Sequence, residues 1–276
     1  GKFQADGIDQ HLRELAKLVS GLGCEVFIEA STATQLSIKD YPIKNAEDFA
    51  GAIDLVVVLG GDGTILRAVE FTRDENIPVL GINLGHVGFL AEAELEHIND
   101  VVKSITSHSW IQEERLAIEV SIFKDNQLFA KTFALNDVAI EKSEPGHMFD
   151  LILEIDSQPV SRLSGDGIVC ATPTGSTAYN LSAGGPVLFP LTQVFALTPI
   201  CPHSLTQRPV VLPGHFEIEM RTPDASALVI VDGQDMIEIT ENDKIQIKLA
   251  PSGAHLIHRK EFNYFEVLKE KLGWGE

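Results

Sequence analysis

Leu12, Leu15, Leu18 and Val19 recur at helical spacing and are followed by Gly21 and Gly23, so the pattern predicts a helix over 8–19. A strand is predicted over 24–28. The stretch 40–51 is polar and loop-like, with a helical turn near Ala46. Residues 54–59 form a short apolar run rich in valine, the signature of a strand buried on both faces in a parallel sheet. A helix over 65–71, a strand over 77–83 and a helix over 95–107 follow. Strands alternating with helices predict a parallel, Rossmann-like α/β layer. Near Ile111 the pattern changes. Residues 116–122, 129–140, 149–155, 216–220, 228–231 and 244–249 read as short strands separated by turn residues, with little helix except after Thr174. That pattern predicts an all-β sandwich. Helical spacing returns over 262–272. The expected organisation is an α/β domain over 1–111, a β-sandwich domain over 112–249, and a tail over 250–276 that returns to the first domain. A doubly wound domain expects a strand before its first helix. Here the helix comes almost at once, so either a first strand is missing or the sheet edge is incomplete.

Composition narrows the classes. The 276 residues suffice for two domains, and a hydrophobic content of 44% supports real cores. No apolar run approaches the ~20 residues that a membrane helix needs, and no secretory signal is visible at the N-terminus. Cys24, Cys170 and Cys201 have no metal-ligand spacing and read as buried thiols in a reducing cytoplasm. The histidines are scattered and form no zinc pattern. A formal net charge of −19 argues against nucleic acid or an anionic membrane surface as partner.

Two stretches carry chemistry. Leu59-Gly60-Gly61-Asp62-Gly63-Thr64 lies between the valine-rich strand and a helix. A glycine turn there presents backbone N–H groups at a helix N-terminus, where phosphate binds. Asp62 is the odd member, since a carboxylate beside phosphates repels them unless it takes a proton or meets a metal. Its bland alternative is a local turn cap. The second stretch, 166–186, is dense in small and hydroxylated residues. Pro173 and Gly175 break a strand, and Thr174, Ser176 and Thr177 offer donors and caps at the start of a short helix. Ala178 leaves room for a flat ring, and Tyr179 offers a face and a phenol. The alternative there is a capped helix on a glycine-rich loop.

The Gly60–Thr64 run resembles the signature shared by NAD kinases, diacylglycerol kinases and 6-phosphofructokinases. Joined to Asn136-Asp137 and to Thr172-Pro173-Thr174-Gly175-Ser176-Thr177-Ala178-Tyr179, it resembles the NAD kinase family over nearly the whole chain, in a bacterial, actinobacterial-like form. The likeness extends to Asn83 through Phe89, Pro202 through Pro209, Val231 through Gln234, and Leu272 through Trp274. The resemblance implies that Asp62 takes the proton from the 2′-hydroxyl of the adenosine ribose of NAD. It implies that Gly60, Gly61, Gly63 and Thr64 line the phosphate path. NAD contacts are implied for Asp62, Gly63, Thr64, Arg67, Phe89, Asn136, Asp137, His147, Asp166, Thr174, Thr177, Ala178, Tyr179, Asn180, Leu181, Ser182 and Gln234. Asp137 stands where the family carries Glu, one methylene longer, and Ser164 stands where some relatives carry Arg.

The implied reaction is phosphoryl transfer to NAD, giving NADP. ATP or inorganic polyphosphate would be the donor and Mg²⁺ would bridge its phosphates, with no dedicated protein metal site. The implied protein is a cytoplasmic homodimer or homotetramer, with no nucleic-acid or membrane partner. One dinucleotide meeting Asp62, Asn136 and 177–182 is expected in a cleft between the domains. Simpler readings stay beside these roles. His147 is also an ordinary loop histidine, Arg67 a partner for Glu70 or Asp74, and Gln234 a solvated turn residue. Two other functions compete: a lipid or other small-molecule kinase, against which the hydroxyl-rich run argues, and a dinucleotide-binding regulator, against which Asp62 argues.

Overall fold

The computed structural model describes residues 7–84, 88–91, 93–94, 98–107, 109–144, 149–241 and 243–275. The chain divides into two compact units, 1–114 with 254–276, and 115–253.

The first unit opens with α1 (Ile8–Gly21), whose Leu15 is buried and whose Leu12, Leu18 and Val19, partly buried, pack against the same cluster, as the helical spacing demands. The strand expected over 24–28 shrinks to β1 (Ile28–Glu29), because Gly23 at positive φ and the polar Glu25 delay the extended segment. A short helix α2 (Ala30–Gln35), absent from the periodicity, follows at once. The Glu29 carboxylate caps it by accepting from the Ser31 and Thr32 amides. β2 (Ile43–Lys44) pairs in parallel with β1. Then come β3 (Val56–Leu59), α3 (Asp62–Thr72), β4 (Val79–Asn83), β5 (Ala93–Glu94), α4 (Ile98–Ser107) and β6 (Trp110–Arg115). β4 is buried along its whole length. Its Leu80 and Ile82 share a cluster with Leu15 of α1 and Val101 and Val102 of α4. Its Gly81 serves α3, since a Cβ there would come 2.4 Å from Ile65 Cδ1. The alternation of strand side chains thus puts helices on both faces of the sheet.

The second unit is built from β7 (Ile118–Lys124), β8 (Gln127–Ala134), β9 (Asp137–Lys142), β10 (Phe149–Ile155), β11 (Gln158–Gly165) and β12 (Gly167–Ala171). A 3₁₀ turn (Thr174–Thr177) and α5 (Tyr179–Ser182) follow, and then β13 (Val194–Ile200), β14 (Val210–Pro213), β15 (Ile218–Arg221), β16 (Ala227–Val231), β17 (Asp235–Ile239) and β18 (Lys244–Leu249). Two six-stranded sheets form, ordered β11-β10-β15-β18-β7-β8 and β14-β13-β12-β9-β16-β17. Inward residues of both sheets, among them Ile118, Val120, Val138, Ile140, Leu151, Ile168 and Ile247, make one core. The run expected as one strand over 129–140 is two, interrupted at Leu135-Asn136, where β8 leaves one sheet and β9 enters the other. The hairpin turns Asp125-Asn126 and Asp156-Ser157 have both residues at positive φ, the geometry that two-residue hairpins favour.

β12 is buried on both faces. Ile168 and Cys170 enter the sandwich core, while Val169 and Ala171, with Ala139 and Ala196, pack against Ala183 and Leu188. Small side chains on that outer face let the 174–188 segment lie directly on the sheet.

The chain then returns to the first unit with β19 (Ala254–Arg259) and α6 (Tyr264–Leu272). β19 inserts between β4 and β6, in the order β3-β4-β19-β6, and pairs in parallel with β4 through Leu256 and Val79. The periodicity predicted the helix of this tail and missed the strand. The expected burial of all three thiols is corrected: Cys170 is buried, but Cys24 and Cys201 lie at turns after α1 and β13 and are exposed. Among the described residues no helix is long and apolar enough to cross a membrane.

Candidate active site

In the first unit the chemistry gathers at the carboxyl end of β3. Gly61 caps α3 and Asp62 is its first residue, half-buried. The Asp62 carboxylate accepts from two backbone amides, Phe89 N–H at 2.9 Å and Leu90 N–H at 3.1 Å. Both donors fix the orientation of the carboxylate. Gly88 makes this approach possible, since a Cβ there would lie 2.0 Å from Asp62 Oδ1. Gly60 is tight against Thr64, whose Oγ1 would be 2.6 Å from an added Cβ. Gly61 and Gly63 are exposed and face open space. The turn therefore has one closed side, which locks Thr64 and Asp62, and one open side where an anion can reach the backbone. Arg67 points outward and pairs with Glu70 at 3.3 Å.

In the second unit the site forms where β8 crosses into β9. The Asn136 carbonyl accepts from Thr172 N–H at 2.8 Å, and Gly175 lies against the Asn136 backbone, 2.0 Å from its oxygen for an added Cβ. The Asn136 side chain is half-buried and has no hydrogen-bond partner among the described residues, so its amide is available to a ligand. Asp137 is buried. Burial, with the nearby Asp232 carboxylate adding to it, pushes its carboxyl up to about 7, while the Tyr179 N–H works the other way. Tyr179 is 37% exposed, and its phenol is pushed up to about 12 by burial and by its hydrogen bond to Glu141. Thr174 is buried and its Oγ1 has no partner among the described residues. Thr177, Ala178 and Leu181 are half-buried and Ser182 is exposed. Gln234 is half-buried in the turn after β16.

Asn180 takes a different place. Its side chain is fully buried, with Nδ2 donating to the Ser176 and Pro186 carbonyls and Oδ1 accepting from the Thr198 hydroxyl at 2.7 Å. That side chain holds the loop together and presents nothing to a ligand. Ser176 does the same between Pro173 and Leu188. Asp166 is held by the Lys142 ammonium, which keeps its carboxyl below the usual range, with the Cys201 thiol and His203 adding to the effect. His147 lies outside the described residues.

Sequence reasoning missed Lys142, Thr172 and Asp232. Asp232 sat inside a motif already noted, and Thr172 stood at the head of one. The Leu135 carbonyl that Thr172 holds and the Leu135 amide that Asp232 holds lie 37 and 97 residues away in the chain, beyond any local pattern.

A glycine phosphate turn on an α/β layer, with a hydroxyl-rich loop on a β-sandwich, defines a two-domain nucleotide-binding phosphotransferase. The family model for the ATP-NAD kinase N-terminal domain matches residues 6–109 and that for the ATP-NAD kinase C-terminal domain matches 135–259. The chain is 46% identical over 263 residues to the NAD kinase of Sulfurimonas denitrificans, covering 95% of this chain and 91% of the relative. It is 38% identical to the NAD kinase of Thiobacillus denitrificans, covering 100% and 96%. Among solved structures it is similar to yeast NADH kinase complexed with NADH, with a TM-score of 0.89 at 28% identity, covering 100% of this chain and 86% of that one. It is similar also to an NAD kinase from Archaeoglobus fulgidus in complex with ATP, with a TM-score of 0.71 at 28% identity, covering 96% and 95%. The chain belongs to the NAD kinase family.

Proposed function

We propose that this chain transfers a phosphoryl group from ATP to the 2′-hydroxyl of the adenosine ribose of NAD, giving NADP. The observation that carries the reading is Asp62: an amide-oriented carboxylate inside a phosphate-binding turn. A carboxylate fixed in that way can accept the ribose hydroxyl proton as the hydroxyl attacks the terminal phosphorus. The turn at Gly61 and Gly63, where no neighbouring atom crowds an approaching ligand, receives the donor phosphates, with Gly60 and Thr64 shaping it. The reading calls on Asn136, Asp137, Thr174, Tyr179 and the neighbours 177–182 to hold the dinucleotide, with the open Asn136 amide and the exposed Tyr179 as principal contacts. Asn180 contributes through its backbone. Asp166, Phe89, Arg67, His147 and Gln234 complete the proposed NAD contacts.

Among the described residues no group of three or more acidic, His or Cys side chains could hold a metal. Mg²⁺ fits this chain as an ion carried on the donor phosphates, which needs no ligand cluster of the protein's own. Bound so, it would neutralise phosphate charge, and positioning falls to the residues above. Polyphosphate remains a donor of the same chemistry. A cytoplasmic homodimer or homotetramer is part of the same reading.

The test is a coupled assay of the purified protein with Mg-ATP and NAD, NADH or diacylglycerol as acceptor, beside the variant Asp62→Asn. NADP should form from NAD, and D62N should keep NAD binding while its rate falls ~10²–10⁴-fold. Phosphorylation of diacylglycerol alone, or near-normal turnover by D62N, would overturn the reading.

A further inference from the structure

We propose that Asp232 is a positioning residue of this site: from the turn after β16, its carboxylate clamps the backbone where Asn136 and Asp137 are presented. The inference rests on the NAD kinase reading for the identity of the ligand. The clamp itself stands on geometry. Asp232 Oδ2 accepts from Leu135 N–H at 2.8 Å, and Oδ1 accepts from Asn136 N–H at 2.8 Å and from Asp137 N–H at 3.0 Å. The Asp232 amide in turn donates to the Asp137 carbonyl at 2.9 Å. Three consecutive amides are thus gathered on one carboxylate, 95–97 residues away in the chain. They belong to the point where the chain passes from one sheet to the other, which leaves those amides without a ladder partner of their own. A hairpin turn does not need this arrangement. Asp232, at φ 49, and Gly233, at φ 65, would form the turn equally well with Asn in the first place. Only a carboxylate gives acceptors on both oxygens. An amide side chain would set an NH₂ group against the Leu135 N–H.

The clamp has an electrostatic consequence. The groups around the Asp137 carboxyl are Asp232 from the β16–β17 turn and the Tyr179 N–H and phenol from α5, while the Cys170 thiol of β12 points into the sandwich core on the other face of the sheet. Asp232 is the carboxylate that adds to burial in pushing Asp137 up to about 7. One side chain therefore fixes where Asn136 and Asp137 stand and biases the charge that Asp137 carries beside the Tyr179 loop.

The test compares wild type, D232N and D137N. Amide hydrogen exchange is measured at Leu135, Asn136 and Asp137, and KM for NAD, kcat and the pH profile of kcat/KM are measured between pH 5.5 and 9. D232N should exchange these amides at least tenfold faster and raise KM for NAD about tenfold or more, with kcat changed less, as expected for a lost charge-assisted bond. The inflection near pH 7 should move to lower pH in D232N and vanish in D137N. A folded D232N with wild-type exchange at these amides, or with unchanged KM and pH profile, would overturn the proposal. Should D232N not fold, hydrogen exchange on the wild type carries the test, and Leu135, Asn136 and Asp137 amides no better protected than exposed turn amides overturn the clamp. If wild type phosphorylates no NAD, the reading of the reaction falls, and the exchange arm by itself supports or overturns the clamp.

Discussion

Two carboxylates divide the chemistry at the scale of single residues. Asp62 sits at a helix start with two amide donors, and Asp137 sits in the dark beside another carboxylate. The environment of the second resists charge. The second makes a stability prediction whose sign follows from linkage. Asp137 titrates near 7 in the fold and near 4 when unfolded. Below pH 4 both states are protonated and the group contributes nothing. Between about 4 and 7 the unfolded chain releases this proton while the fold retains it, so the group lowers stability as pH rises, and above 7 the penalty is constant. Asp137→Asn should therefore gain on wild type between pH 5 and pH 8 by roughly 2 kcal/mol. Urea unfolding at the two pH values reads this directly. An equal difference at both would mean that Asp137 ionises normally in the fold.

At the scale of elements, the loop that follows β12 shows what a sequence reveals and what it hides. Its density of Thr, Ser, Gly and Ala marked it as a site. The pattern could not say which hydroxyls and amides face outward. Ser176 and Asn180 direct theirs inward, to Pro173, Leu188 and Pro186 of the loop and to Thr198 of β13. The exposed Tyr179 lies between these buried neighbours. In a 3₁₀ turn followed by one helical turn no single period sorts inward from outward positions. The strands were legible where β-branched residues clustered, as in β3, β16 and β18. β11, β13 and β14 escaped, because Pro, Gln and Thr dilute their patterns. The tightest fit in the loop makes a prediction. A Cβ at Gly175 would sit 2.0 Å from the Asn136 carbonyl oxygen and 2.5 Å from its Cα, both backbone atoms that cannot swing aside. Gly175→Ala should cost about 1–3 kcal/mol by overpacking and displace Asn136. It should weaken NAD binding more than the stability loss alone explains, as measured by titration calorimetry well below the melting temperature. Unimpaired NAD binding by a folded G175A would show that Asn136 is not a ligand contact.

At the scale of the whole molecule, the chain order and the spatial order differ. The switch from strand–helix alternation to short strands was plain in the sequence, and the helical tail pointed back to the first domain. What the pattern could not show is that the tail supplies a strand, β19, between β4 and β6. Residues 254–259 are short and contain two histidines and an arginine, so their apolar members do not stand out. Yet Ala254, Leu256 and Ile257 are buried, and Ile257 joins the cluster that seats α1 and α4 on the sheet. A chain truncated after Gly253 loses that strand, and with it the ladder that ties β4 to β6. The second unit, 115–253, keeps both of its sheets and its own core. Truncation should therefore leave a β-rich cooperative melting transition while abolishing order in the first unit and all phosphoryl transfer, since Asp62 depends on that sheet for its position. Calorimetry with circular dichroism before and after truncation measures this. Loss of the whole transition would mean that the second unit does not fold without the first. Retained kinase activity would mean that β19 is dispensable to the sheet that carries Asp62.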